Sequence, residues 1–308
     1  MPSISIICPV HNMQQFMRKC IDSIRMQAFT DWELILVDDG STDQSGSICD
    51  QYVAIDDRIK VIHQKNAGVS AARQAGSETA TGEYVIHMDP DDYAETNMLG
   101  TLYQEAVRNH ADVVICDFFV DDISGKSSVV HQRVGSTQPD KLLRALLFQQ
   151  LHGSCWNKLV RRACYNRYNV RFPKGVNYCE DVLFWVQLFR HSDVKTVYLP
   201  KAFYHYVMHE RSITHNYTRN TYENRQSYVR VLRACLPPSG YEKEWRQAKL
   251  NVFFEAYMHG ILKKGEAWRQ LWENRRAAFF ESRSWRYKMG YAFLFVGCFP
   301  IAKRLLKY

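Results

Sequence analysis

The 308-residue chain carries 40 Lys and Arg against 32 Asp and Glu and is 46% hydrophobic, enough for one large α/β domain with a helical extension. Its nine cysteines hold no CxxC pair and no zinc-ligand spacing, which argues against a disulfide scaffold and for reduced thiols in a cytoplasmic setting. The longest uncharged apolar stretch, Met289 to Ala302, is fourteen residues interrupted by Pro300, short of the roughly 20 that a bilayer span needs.

Met1-Pro2 leads straight into SISIICPV without a basic segment, so no secretory leader is expected. Ser3 to Val10 reads as a strand, and Met17 to Gln27 as a helix with Met17, Cys20, Ile21 and Ile24 on one face. Trp32 to Val37 is a second strand, stopped by DDGSTD, where Ser41, Thr42 and Asp43 offer capping oxygens to the next helix. Strands at 58–63 and 83–88 flank an Ala-rich helix at 69–80, and a helix at 99–109 leads into a strand at 112–120. This alternation implies βαβ units and a mostly parallel sheet. Residues 121–138 read as a loop or hairpin, 140–150 and 180–189 as helices, and 195–199 as a last short strand. Everything beyond Asn220 reads as helical, giving an α/β domain over 1–220 and an extension over 221–308.

The run Tyr84 to Met88 ends abruptly in three carboxylates, Asp89, Asp91 and Asp92. Acids at the carboxyl edge of a parallel sheet lie where open α/β folds bind ligands. Two of them spaced i, i+2 suit a hard divalent ion that completes its shell with water and phosphate. A solvated Asx turn, which Pro90 also favours, would use the same residues. CPVHN and VDDGSTD end at the same edge, where Asp39 could accept the imide N–H of uracil, a proton that N3 of cytosine lacks. Asp38 and Asp43 could equally serve as helix caps. In NAGVSAARQAG, Gly68 permits a tight turn, and Arg73 points back toward the edge, to phosphate or to a strand-tip Asp. In NYCEDVLFW, Glu180 and Asp181 open a helix, either as dipole-favoured acids or as a general base. No GxGxxG follows the first strand and no Walker A sequence occurs, which disfavours dinucleotide oxidoreductases and P-loop enzymes.

In this order, PVHN, WELILVDDGSTD, NAGVSAARQAG, MDPDD and the later ED resemble the inverting nucleotide-sugar glycosyltransferases of family 2, bacterial polysaccharide type, over residues 3–215. The resemblance implies a GT-A fold, a Rossmann-like, mostly parallel sheet flanked by helices, and transfer of one sugar from a UDP-sugar to a glycan or polyprenyl-linked acceptor. It implies that Pro9, His11 and Asp39 line the uracil site, with Arg73 near the base or diphosphate. Asp89 would approach the ribose or a Mg or Mn ion, Asp91 would be the chief metal ligand, and Asp92 a turn or capping residue. Asp181 would be the base, with Glu180 positioning it, and Trp156 and Lys158 would border the acceptor or donor sugar. His205 and His209 are candidates for a further metal or phosphate contact, though each could equally be a structural histidine. The sequence departs from the family in having His11 where Tyr is commoner, and Val207 where Arg is frequent, a contact that Arg211 could supply. The QxxRW signature of processive synthases is absent.

Residues 241–308 hold fourteen Lys and Arg against six Glu and no Asp, so the excess charge of +8 lies entirely in this quarter, interleaved with aromatics. It reads either as a helical subdomain with an aromatic core, or as a peripheral contact with an anionic membrane on the inner face of the plasma membrane. Nucleic-acid binding is disfavoured because the first 240 residues are charge-neutral and their site is rich in carboxylates. Retention of both acid pairs speaks against an inactive sugar-nucleotide-binding relative.

Overall fold

The computed structural model describes residues 1–209, 217–281 and 285–306. They fall into two compact units, Met1–Glu210 and Arg211–Tyr308.

The first unit is built on a nine-stranded sheet. Strands β1 (Ile4–Val10), β2 (Trp32–Asp39), β3 (Ile59–Gln64) and β4 (Tyr84–His87) run parallel in the order β3-β2-β1-β4. Helices α1 (Met17–Arg25), α2 (Ser45–Val53) and α3 (Val69–Thr79) connect them. Every residue of β1, β2 and β4 is buried, as expected of parallel strands covered on both faces. In isolation a helix of α1's length would be marginal in water. Burial of Met17, Cys20, Ile21 and Ile24 against the sheet fixes it, each large apolar side chain contributing about 1.5–3 kcal/mol.

Beyond β4 come a two-residue strand β5 (Tyr93–Ala94), helix α4 (Met98–Arg108), strand β6 (Val113–Asp121), its hairpin partner β7 (Ser127–Val130) and helix α5 (Pro139–Leu147). Strand β8 (Lys158–Arg161), absent from the sequence reading, inserts antiparallel between β4 and β6. Helix α6 (Ala163–Arg167) and helix α7 (Glu180–Phe189) follow, and strand β9 completes the sheet. That last strand spans Thr196–Val207, well past the expected end at Leu199. Leu199 pairs with Cys116 and Ala202 with Asp117, so Pro200 and Lys201 are left over as a bulge. Pro200 has no N–H to donate, and the bulge lets the strand continue past it. The continuation carries Tyr204, His205 and Val207 alongside β5 and the far half of β6.

The second unit is helical: α8 (Arg219–Cys235), α9 (Glu242–Met258), α10 (Lys264–Glu273), a π-helical turn (Arg276–Glu281), α11 (Trp285–Phe295) and α12 (Phe299–Leu306). Thr218 caps α8 by accepting the amide of Thr221. Arg225 of α8 pairs with Glu255 of α9, and Arg246 of α9 with Glu281, so some of this unit's charges are spent internally. None of the described helices is long and apolar enough to cross a membrane.

Candidate active site

Because β1, β2 and β4 are parallel, their carboxyl ends meet at one edge. At the end of β1, Asn12 adopts a left-handed backbone (φ 54°). Its Oδ1 accepts the amides of Thr42 at 2.8 Å and Asp43 at 3.3 Å, tying this tip to the loop after β2. Asp43 accepts the amide of Ser45 at 2.8 Å, and Asp38 that of Ser41 at 3.0 Å. Both therefore serve the turn into α2, the structural role open to them from the sequence.

Asp39 is buried, and both of its oxygens already accept protein donors. Oδ1 takes the Gln64 side chain at 2.7 Å and the Ala67 amide at 2.9 Å, and Oδ2 takes the Gly68 amide at 2.7 Å. The side chain thereby organises the turn between β3 and α3, with Oδ2 accepting a single protein donor. Pro9 is also buried, opposite Val37. Of the residues expected around the base, His11 alone is exposed, its Nδ1 2.9 Å from the main-chain oxygen of Asp39 and its Nε2 3.2 Å from Asn66 Nδ2.

Gly68 sits at φ 90°, where L side chains are strained, and a Cβ there would lie 2.3 Å from Asn177. The close approach locks the segment before α7 onto α3, helped by Ser70 donating to the Pro173 carbonyl at 2.7 Å and the Phe172 amide donating to Gln74 at 2.9 Å. Cys179 then takes a left-handed conformation (φ 61°, ψ 23°), an uncommon state for a residue with a Cβ, and α7 starts with Glu180 and Asp181. The consequence is an ion-pair bridge. Buried Arg73 donates through one terminal nitrogen to Asp89 at 2.7 Å and through the other to Glu180. Arg73 thus points to the sheet edge as expected, and the groups it meets there are carboxylates.

Burial pushes the Glu180 carboxyl up to about 7, with Asp181 adding to the shift and Arg73 opposing it. Asp181 is also raised by burial, again against the pull of Arg73. Its Oδ1 accepts the Val182 amide at 2.7 Å, and the residue remains partly accessible.

In the carboxylate turn, Asp92 is almost wholly buried. It accepts the Tyr204 hydroxyl at 2.6 Å and the Val207 amide at 2.8 Å, so it clamps β9 to the end of β4 and is neither a helix cap nor a solvated turn residue. The Tyr204 hydroxyl in turn accepts the Asp89 amide at 3.1 Å. Burial, then the charge of Asp89, raises the Asp91 carboxyl, and a bond to His209 opposes that rise. His209 Nε2 lies 2.9 Å from Asp91 Oδ2, its ring stacks on Phe16 at 4.6 Å, and its buried Nδ1 has no partner among the described residues. Asp91, Asp89 and His209 are the donor groups at this point. No cluster of three or more His, Cys, Asp or Glu with metal-binding geometry exists among the described residues. Asp91 and Asp89 are the residues here that could hold a divalent ion.

Three expected contacts lie elsewhere. His205 is held between Asp121 (3.1 Å) and Glu95 (3.0 Å) and sandwiched by Tyr93 and Phe119 at 4.2 and 4.4 Å, which leaves neither ring nitrogen for a metal. Trp156 is in the core, stacked on Tyr204 at 4.3 Å. Lys158 is fully buried; its ammonium donates to the carbonyls of His152 and Ser154 and to Asn157 Oδ1 at 2.7–2.8 Å. Neither Trp156 nor Lys158 offers a surface to a sugar, because WNK opens an interior strand. Arg211 lies outside the described residues. Tyr204, Asn12 and Asn177 were given no role from the sequence, although Asn12 closes the PVHN motif and Asn177 opens NYCEDVLFW.

Residues 5–169 match the model of glycosyl transferase family 2. EpsH of Bacillus subtilis (strain 168), named as a glycosyltransferase, is 31% identical over 258 residues, which are 82% of this chain and 74% of EpsH. A Campylobacter jejuni protein named GalNAc(5)-diNAcBac-PP-undecaprenol beta-1,3-glucosyltransferase is 28% identical over 254 residues, 81% of this chain and 77% of that protein. Among solved structures, S. aureus TarS 1–349 in complex with UDP-GlcNAc superposes with a TM-score of 0.70 at 20% identity, covering 99% of this chain and 90% of that one. At that identity the likeness concerns the fold, which is the mixed α/β GT-A arrangement.

Proposed function

The chain belongs to glycosyl transferase family 2, and from that premise we propose that it is a metal-dependent, inverting enzyme moving one sugar from a UDP-sugar to a hydroxyl of a glycan or polyprenyl-linked acceptor in surface polysaccharide synthesis. The observation that carries this reading is the Arg73 bridge, which joins the carboxylate turn at Asp89 to the first residue of the Glu180-Asp181 pair. Two groups of acids distant in sequence thereby share one sheet edge. The UDP-GlcNAc complex of TarS supports the choice of donor, and the name of the Campylobacter relative supports a lipid-linked acceptor.

Asp91, with Asp89, would hold a divalent ion, whose chemistry there is to neutralise the charge of the leaving diphosphate. Asp181 takes the proton of the acceptor hydroxyl as its oxygen attacks the anomeric carbon. The bond to the diphosphate breaks on the opposite face, so a single displacement inverts the configuration. Burial suits Asp181 to this role, because a carboxyl raised toward the working pH is a stronger base than an ordinary Asp. Glu180, already bound to Arg73, positions the pair.

The test is to incubate the protein with UDP-, GDP- and dTDP-sugars, with and without manganese, and to follow thermal stabilisation and then the anomeric configuration of the product by NMR. Metal-dependent stabilisation by a UDP-sugar and an inverted product are expected. A retained anomer would overturn the single-displacement mechanism, and stabilisation independent of metal would overturn the role of Asp91.

A further inference from the structure

Helix α11 is apolar on two opposite sides. Gly290, Tyr291 and Leu294 face inward. Trp285 and Met289, with Val296 just past the helix end and its amide still bonded to the Ala292 carbonyl at 3.1 Å, fall within roughly 40° of one another at 100° per residue, opposite that buried stripe. All three are exposed, Trp285 by 74% and Val296 by 70%. The patch extends onto α10, where Trp268 and Trp272 stack on each other at 6.0 Å and both pack against Phe295 at 5.7 Å, and each is about half exposed. Among the described residues, no large apolar side chain between Val129 and Trp268 is exposed, while seven are exposed from Trp268 to Ile301.

The charged residues around the patch decide what covers it. Among the described residues from 263 to 304, seven Lys and Arg are exposed against one acid, Glu273. Arg275 lies over the Trp272 ring at 4.7 Å, so cation and aromatic occupy the same surface. Two copies of such a face would bring like charges together, which disfavours self-association. A negatively charged bilayer surface complements both features, taking the indoles and aliphatics at headgroup depth and the guanidinium groups at its phosphates.

We propose that α10 and α11 form a docking face for an anionic lipid bilayer, with Trp285, Met289, Val296, Trp268 and Trp272 entering the interface and Arg269 and Arg275 binding its headgroups. The contact is confined to this face, because Tyr291, Leu294, Ala302 and Leu306 are buried within the protein. The proposal does not depend on which sugar is transferred.

The test uses the full chain with vesicles of phosphatidylcholine alone or mixed with phosphatidylglycerol, read by co-flotation and by the blue shift of tryptophan fluorescence. The wild type is expected to float with the mixed vesicles only. The variant Trp285→Ser/Met289→Ser/Val296→Ser should partition at least about tenfold more weakly, and Arg269→Glu/Arg275→Glu roughly tenfold or more. The pair Ile55→Ser/Ile123→Ser, exposed apolar residues of the first unit, should float like the wild type. Circular dichroism and binding of UDP to each variant report that the fold is intact. Flotation of the triple-serine variant equal to wild type, absence of wild-type flotation, or a lipid-free dimer that the triple-serine variant abolishes would each overturn the proposal, the last in favour of a second copy as the occupant.

Discussion

Arg73 and Glu180 stand 107 residues apart and form a buried ion pair. Arg73 also holds Asp89, so one guanidinium fixes the distance between the end of β4 and the start of α7. On the proposed mechanism these elements hold the donor's diphosphate and the base, which gives a residue that need not touch either substrate control over both.

Removing Arg73 leaves two carboxylates without their cation. Breaking a buried pair from one side costs about 3–5 kcal/mol. Arg73→Met should lose stability of that order in urea unfolding, and Arg73→Met/Glu180→Met should recover part of it. A single variant as stable as the wild type would mean that the bridge is not formed in solution.

The Glu180 carboxyl, raised to about 7 in the folded chain from an ordinary 4.5, sets a pH dependence. Between these values the folded state keeps a proton that the unfolded state has released, so this group's contribution to stability is complete below pH 4.5 and declines as pH rises through 7. Glu180→Gln removes that titration. Its stability relative to wild type, measured by urea unfolding at pH 5 and pH 8, should therefore improve at the higher pH. A constant difference would place the Glu180 titration in its ordinary range.

Much of the first unit was legible in the sequence because apolar runs and helical spacing report burial directly. The first four parallel strands and α1 follow from that signal, while α2 was announced by its capping residues and α3 by its Ala-rich composition. Strands β5 and β8 were not legible: they are two and four residues long, and β8 pairs with strands far away in the chain. At Pro200 the strand signal breaks, and only a bulge, a tertiary feature, carries β9 onward. In the site, residue type identified the acids at the edge but not their partners. Asp39 and Asp92 bind amides, and Lys158 binds carbonyls, and no spacing rule announces such bonds.

His209 and His205 should separate on substitution. Asp91→Ala is expected to abolish the strengthening of UDP binding by manganese in calorimetry, and His209→Ala to alter it, because Nε2 of that ring bonds Asp91. His205→Ala should leave it unchanged while costing about 1–3 kcal/mol through the two carboxylates it pairs with. Metal-dependent binding that survives Asp91→Ala would contradict the assignment of that residue.

Lys158→Met is predicted to act on stability. Two buried acceptors and the part-buried His152 carbonyl would lose their donor, at about 3 kcal/mol in total. Burial lowers the Lys158 ammonium to about 8, consistent with an interior site. A variant of wild-type stability with a raised KM for donor or acceptor would instead place this side chain against a sugar.

The central claim, that Asp181 is the base of a sugar transfer at the edge shared with Asp91, is tested most directly by Asp181→Asn with UDP-sugar binding and transfer measured on the same preparation. Transfer should fall at least about a hundredfold while the calorimetric affinity for the UDP-sugar stays near that of the wild type. Retained transfer, or loss of binding together with transfer, would contradict the assignment.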